Sequence, residues 1–193
     1  MHDEQHDADL VTRARGGDVE AYETLVRRYA PIAHRTALLM GAGPEVPDVV
    51  QEAFVKVWHA LDRYDETAPF RPWLLTVVAN EARNRRRGAL RGEALARRFA
   101  VGELVLHPDE PPADLAVLAA ERRAVLLNAL DQLPRRQRDV VACRYLLELT
   151  EEETATLLDV PRGTVKSRLA RALRSLETKL AGTPAAVRGE TRV

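Results

Sequence analysis

Residues 149–180 read LTEEETATLLDVPRGTVKSRLARALRSLETKL. Thr150 followed three residues later by Glu153 is a capping box, in which each side chain accepts the other's backbone N–H, so a short helix starts there. Val160-Pro161-Arg162-Gly163 reads as the turn that follows, and Thr164 as the cap of a final helix. In that helix Val165, Leu169, Ala172, Leu173, Leu176 and Leu180 share about 100° of arc, a face made for packing. Its other face carries Ser167, Ala170, Arg171 and Arg174, flanked by Lys166 and Arg168. A short acidic helix, a Gly-containing turn and a basic amphipathic helix make a helix-turn-helix. The first residues of its second helix would read a DNA major groove, where the arginine fork matches O6 and N7 of guanine; a solvated cationic face is the alternative reading.

Reading outward, a helix from about Asp114 to Leu133 presents Val125, Leu126, Ala129, Leu130 and Leu133, and Pro134 stops it. A second helix covers about Arg135 to Leu147. Upstream, Gly88, Gly92, Gly102, Pro108, Pro111 and Pro112 interrupt any long helix, and HPDEPPAD is acidic and turn-rich. The expected organisation is an acidic, flexible arm at 1–18, a helical domain at 19–88, a linker at 89–112, a helix-turn-helix domain at 113–181 and a disordered tail at 182–193. The fold class is all-α, two small helical domains on a flexible tether.

Three helical stretches fill the N-terminal domain. Val19–Leu39 places Tyr22, Leu25, Val26, Tyr29, Ile32 and Ala33 on one side. In Asp48–Leu61 the residues Val50, Phe54, Val57, Trp58 and Leu61 form a core stripe about 100° wide, and Trp58 reads as packing. The opposite face holds Asp48, Gln51, Glu52, Val55 and His59, a valine on an acidic surface. The third helix starts near Pro72, whose missing N–H costs nothing in a first turn. Trp73, Leu74, Val77 and Val78 point inward, while Thr76, Asn80, Arg83 and Arg87 recur along a neighbouring face. Just upstream, DRYDETAPF carries Tyr64 and Phe70. Aromatic platforms beside arginines are what unstacked bases and phosphates require, although Phe70 and Trp73 read equally well as core.

Composition supports helices: the chain has 46% hydrophobic but only 5% aromatic residues, and strands favour aromatic and β-branched side chains. Twenty-nine basic residues cancel 29 acidic ones over 193 residues, but the charges come in blocks, with seven arginines between 83 and 98 and five bases and no acid between 162 and 174. Salt screens charges beyond about 8 Å, so a basic block attracts phosphate whatever the total. Cys143 is the single cysteine, which excludes an internal disulfide and any multi-cysteine zinc site; in an apolar helix it reads as core. His2, His6, His34, His59 and His107 are scattered, and no catalytic triad, phosphate loop or paired-carboxylate site stands out, so neither enzyme, metal nor cofactor is expected. No apolar run approaches the ~20 residues that span a bilayer. The N-terminus MHDEQHDADL is acidic where a signal peptide is basic. A cytoplasmic protein without membrane insertion is expected.

In order and kind, these parts resemble an RNA polymerase sigma factor of the extracytoplasmic-function (ECF) type. DVVQEAFVKVWHALDRYD is similar to the family's region 2.2, FRPWLLTVVANEARNRRR to regions 2.3 and 2.4, and LDQLPRRQRDVV with LTEEETATLLDVPRGTVKSRLARAL to region 4. The resemblance implies promoter-specific initiation with core polymerase, through its β′ and β subunits. Asp48, Gln51, Glu52 and Val55 would bind the β′ coiled coil. The loop 62–70 with Tyr64, Phe70, Trp73, Thr76, Asn80, Arg83 and Arg87 would hold the melted −10 element. Arg162, Thr164, Lys166, Ser167, Arg168 and Arg171 would read the −35 element as duplex. An anti-sigma factor is implied as a further partner. Four positions depart from the usual pattern: Thr154 stands at an apolar position, Asp159 at a glycine, Asn84 at an aspartate, and Ala170 where some members place a larger contacting side chain.

Two elements read on one face of DNA lie about two helical turns, or roughly 70 Å, apart. A linker of about 25 residues reaches about 80–90 Å when extended, enough to bridge them. The alternative is a free-standing helix-turn-helix regulator whose N-terminal half dimerises or senses; it would bind a palindromic operator without polymerase.

Overall fold

The computed structural model describes residues 2–65, 67–86 and 124–181. All regular structure among them is helical. Arg87, the linker 89–112, the first part of the helix expected from Asp114 and the tail 182–193 lie outside the described residues. Two compact units divide the chain, one carrying the four N-terminal helices and the other most of the chain from residue 124 onward.

The first unit is built from α1 (His2–Arg15), α2 (Val19–Leu39), α3 (Val46–Ala60) and α4 (Phe70–Arg86). Helix α2 packs against the other three, so it buries more than one stripe. Leu25, Ala33 and Ala37 of α2, Val49, Ala53 and Val57 of α3, and Leu74, Leu75, Val78, Ala79 and Ala82 of α4 are wholly buried. Alanines recur at these contacts because small side chains let helix axes approach closely. That approach rotates α3 from the expected stripe: Val49 and Ala53 take its centre, and Trp58 moves to the half-buried edge.

The flexible arm expected at 1–18 is instead helix α1. Leu10, Val11 and Ala14 are buried, on the side packed against α2. Asp7, only 5% exposed, pairs with Arg28 Nη1 at 2.5 Å and accepts a hydrogen bond from the Tyr29 hydroxyl. The acidic composition of this segment concealed three apolar positions at helical spacing and a buried acid with partners on α2. Burial and the neighbouring carboxylate push the Tyr29 hydroxyl well above the usual tyrosine range, so it remains the donor. Gly17 makes the corner at φ +92, a backbone conformation that side chains disfavour. Asp18 then caps α2 by accepting the Ala21 N–H at 3.0 Å, and Arg13 Nη2 reaches Asp18 at 2.7 Å. The Ala21 N–H and then Arg13 hold the Asp18 carboxyl below the usual carboxylate range.

From residue 124 the chain forms α5 (residues 124–131), α6 (Arg135–Val141), α7 (Glu151–Leu158) and α8 (Arg162–Ala181). Helix α6 runs on into a π-helical turn, Ala142–Leu146. Leu133, Val140, Cys143, Leu147, Leu149, Val165 and Ala172 are buried. Thr150 and Glu153 form the expected capping box, with N···O distances of 2.6 and 3.2 Å. The turn falls earlier than expected: Asp159 bends the chain at φ 53, and the Val160 N–H closes on Ala155 O at 3.0 Å. Helix α8 therefore opens at Arg162. Pro161 O accepts the N–H groups of Thr164 and Val165 at 2.8 and 3.2 Å, so Thr164 lies inside the first turn rather than capping it. Leu173, expected inward, is 41% exposed.

Asp7→Ala removes the acceptor shared by Arg28 and Tyr29, and a broken buried hydrogen-bonded pair costs about 1–3 kcal/mol. Chemical denaturation of the intact chain should register that loss, whereas a flexible arm would leave the transition unmoved. Thr154 lies fully buried, and its hydroxyl has no hydrogen-bond partner. Thr154→Val should raise stability by about 1 kcal/mol in the same measurement.

Candidate nucleic-acid interface

Helix α8 exposes one polar face. Arg162, Lys166, Ser167, Ala170, Arg171 and Arg174 are exposed on it, while Thr164 and Arg168 are half-buried. Arg171 is pre-oriented: its Nε donates to Ser167 O at 3.0 Å and its Nη2 to Ser167 Oγ at 3.2 Å. An acid answers the cations at the start of the helix. Glu151 Oε2 lies 3.3 Å from Arg162 Nε and 3.7 Å from Lys166 Nζ. Exposed pairs of this kind are worth about 0–1 kcal/mol, so an arriving phosphate can displace the carboxylate.

Helix α4 carries the second candidate face. Asn80 is exposed, while Trp73, Thr76 and Arg83 are half-buried. The Thr76 hydroxyl donates to Pro72 O at 2.8 Å, within its own helix. Arg83 Nη2 donates to Asn80 Oδ1 at 3.0 Å, joining those two along the stripe. Arg85 reaches Glu45 at 3.4 Å and Glu81 at 3.9 Å.

Two residues expected on that face are not on it. Tyr64 is 8% and Phe70 5% exposed, too little for either ring to offer a face to a base. They belong to an aromatic cluster, Phe70 lying 5.4 Å from Tyr29, 5.8 Å from Tyr64 and 5.7 Å from Trp73 between ring centroids. Tyr64 and Trp73 stand 4.7 Å apart. Burial of aromatic area outweighs exposure here, and the exposed residues of the loop, among those described, are Asp62, Arg63, Asp65, Thr67, Ala68 and Pro69.

On α3, Asp48, Gln51 and Val55 are exposed and Glu52 half-buried. Lys56 Nζ lies 3.7 Å from Glu52 and donates to Glu81 of α4, which is 7% exposed. The hydrogen bond to Glu81 holds the Lys56 ammonium above the usual lysine range, keeping it charged at neutral pH. Gln51 and Val55 also line an apolar groove of about 700 Å³ with Tyr22, Val26, Phe54 and Trp58. The Tyr22 and Trp58 rings meet edge to face at 4.8 Å, and the Tyr22 hydroxyl donates to Phe54 O at 2.5 Å. In sequence the apolar residues of α2 merge into one broad face, which hides the groove. Tyr22, Val26, Ala30 and His34 recur every four residues as a separate row beside Leu25, Tyr29 and Ala33, and all four line it.

Among the described residues, no three His, Cys, Asp or Glu side chains gather as a metal site. No described helix is long and apolar enough to cross a membrane.

Residues 25–92 match the family model described as Sigma-70 region 2, and residues 123–176 match Sigma-70, region 4. The chain is 33% identical over 190 residues to the ECF RNA polymerase sigma-E factor of Escherichia coli strain K12, covering 93% of this chain and 97% of that protein. It is 28% identical over 187 residues to the ECF RNA polymerase sigma-E factor of Haemophilus influenzae, covering 93% and 98% respectively. Among solved structures it is similar to CnrH in complex with the cytosolic domain of CnrY, at 27% identity and a TM-score of 0.65 over 93% of this chain and 99% of that one. Two matched regions in sequence order, set within near-full-length relatives, place this chain in the ECF family of RNA polymerase sigma factors, which direct promoter-specific transcription initiation.

Proposed function

We propose that this sigma factor divides promoter recognition between its units. Helix α8 reads the −35 duplex through Arg162, Lys166, Ser167 and Arg171, and α4 with the loop 62–69 holds the melted −10 strand through Trp73, Asn80 and Arg83. Tyr64 and Phe70 act from below, as the packing that shapes the loop. Asp48, Gln51, Glu52 and Val55 on α3 bind the β′ coiled coil. The observation that carries this reading is the contrast of surfaces: α8 presents an exposed basic face, and α3 an exposed face with Asp48, Gln51 and Val55.

Recognition requires no bond-making by the protein itself, and it acts in the cytoplasm as a specificity subunit rather than as an enzyme. Unstacking a −10 base costs a few kcal/mol, which stacking at about 1–3 kcal/mol per base can offset. An anti-sigma factor is a further partner. One structural relative, the sigma factor RpoE of Bartonella quintana, is bound to the anti-sigma factor NepR.

Arg171→Ala should reduce discrimination between a mapped promoter and its −35-substituted form by about 10–100-fold, the worth of one bidentate base contact. A uniform loss across all sequences would instead make Arg171 a phosphate contact. Val55→Glu places a charge on an exposed position without touching the core. It should weaken association with purified core polymerase at least about tenfold, or 1.4 kcal/mol, in a fluorescence titration. Association unchanged by that charge would remove α3 from the polymerase interface.

A further inference from the structure

We infer that Arg15, the last residue of α1, is a positioning residue for −10 recognition. It sets the course of the loop that follows α3, an inference that rests on the reading of that loop as part of the −10 site. Helix α3 ends at Ala60 and passes into one 3₁₀ turn, Leu61–Arg63. Carbonyls at such a helix end have no partner within the helix. Leu61 O accepts the Tyr64 N–H at 3.1 Å and, from another helix, Arg15 Nε at 3.0 Å. Arg15 Nη2 donates to Tyr64 O at 2.8 Å. One planar guanidinium thus grips two carbonyls three residues apart, where the chain leaves α3 and enters the loop.

The rest of the loop is fixed from its own side. Asp65 Oδ1 accepts the Thr67 N–H at 2.9 Å and the Thr67 hydroxyl at 2.7 Å. The Tyr64 hydroxyl donates to Ala68 O, and the Tyr64 ring packs on Phe70 and Trp73. These contacts set the loop's internal shape. The Arg15 fork ties that shape to α1, the first element of the chain. Helix α1 is a firm support, with Leu10, Val11 and Ala14 buried and Asp7 joined to Arg28 and Tyr29. The fork geometry is specific to arginine. A lysine ammonium, a point charge on a flexible stem, cannot present two coplanar donors to the same two acceptors.

The test uses holoenzyme assembled from core polymerase and full-length chain, with Arg15→Met, Arg15→Lys and Asn80→Ala beside the parent. Open-complex formation is compared on a start-site-mapped promoter and on the same promoter with its −10 element substituted, alongside core association and thermal midpoint. Arg15→Met keeps the aliphatic stem and loses both donors. It should retain core association and cut −10 discrimination about tenfold, as expected for the loss of two hydrogen bonds. Arg15→Lys, able to make one of them, should lose about threefold. If Arg15→Met melts below the assay temperature, Arg15→Lys carries the comparison alone. Unchanged discrimination in the Arg15 variants while Asn80→Ala loses it would overturn the role of Arg15 and leave the −10 reading intact. Parallel loss of core association and −10 discrimination would reduce Arg15 to a general stabilising residue and also overturn it. A parent that ignores the −10 substitution, with Asn80→Ala matching it, would overturn the −10 reading and the inference with it.

Discussion

Three helices lean on α2, and their shared contact constrains almost everything else in the N-terminal unit. A helix packed by three neighbours needs small side chains at the crossings, which Ala33 and Ala37 supply alongside Leu25. Close helices bring their polar ends close as well, and buried backbone groups without partners are costly. The unit answers with side chains aimed at helix termini: Asp18 onto the start of α2 and Arg15 onto the exit from α3. The same crowding buries Glu81, where Lys56 supplies its charge partner. Packing comes first here, and the polar network follows from it.

Local signals were the most legible part of the sequence. Helix α2 begins and ends where its pattern predicts, at Val19 and Leu39, because a capping acid and a glycine-proline loop bracket it. The Thr150–Glu153 box was equally readable, its bonds running between residues three apart. The arm and the aromatic loop depended on neighbours elsewhere in the chain, the bend on a single residue. The acidic arm became α1 because Arg28 and Tyr29, about twenty residues away, receive Asp7. Tyr64 reads as a base platform and Phe70 as either platform or core; Tyr29 and Trp73 draw both into one buried cluster. The helix-turn-helix bend moved because Asp159 takes a left-handed conformation usually given to glycine, leaving Gly163 in the first turn of α8.

The equal totals of acid and base conceal opposed surfaces. Basic residues line the exposed side of α8, Asp48 and Glu52 stand on α3 beside Val55, and elsewhere opposite charges pair with one another, as Arg13–Asp18 and Arg135–Asp139 do. Such pairing lets a neutral protein present one sign to one partner and the other sign to the next. The two partners implied by the family, a polyanion and a polymerase, then need not compete for one face.

Glu151 adds a thermodynamic consequence to its place beneath Arg162 and Lys166. On the proposed reading of α8, those two cations engage phosphate and DNA sheds the counterions condensed on it, the release that makes such binding weaken with added salt. The abandoned carboxylate is then left bare and gathers cations of its own, so fewer ions enter solution than the number of phosphate contacts implies. On that reading α8 carries its own counterion, which would flatten its dependence on ionic strength and leave occupancy of the duplex less hostage to the salt content of the cell.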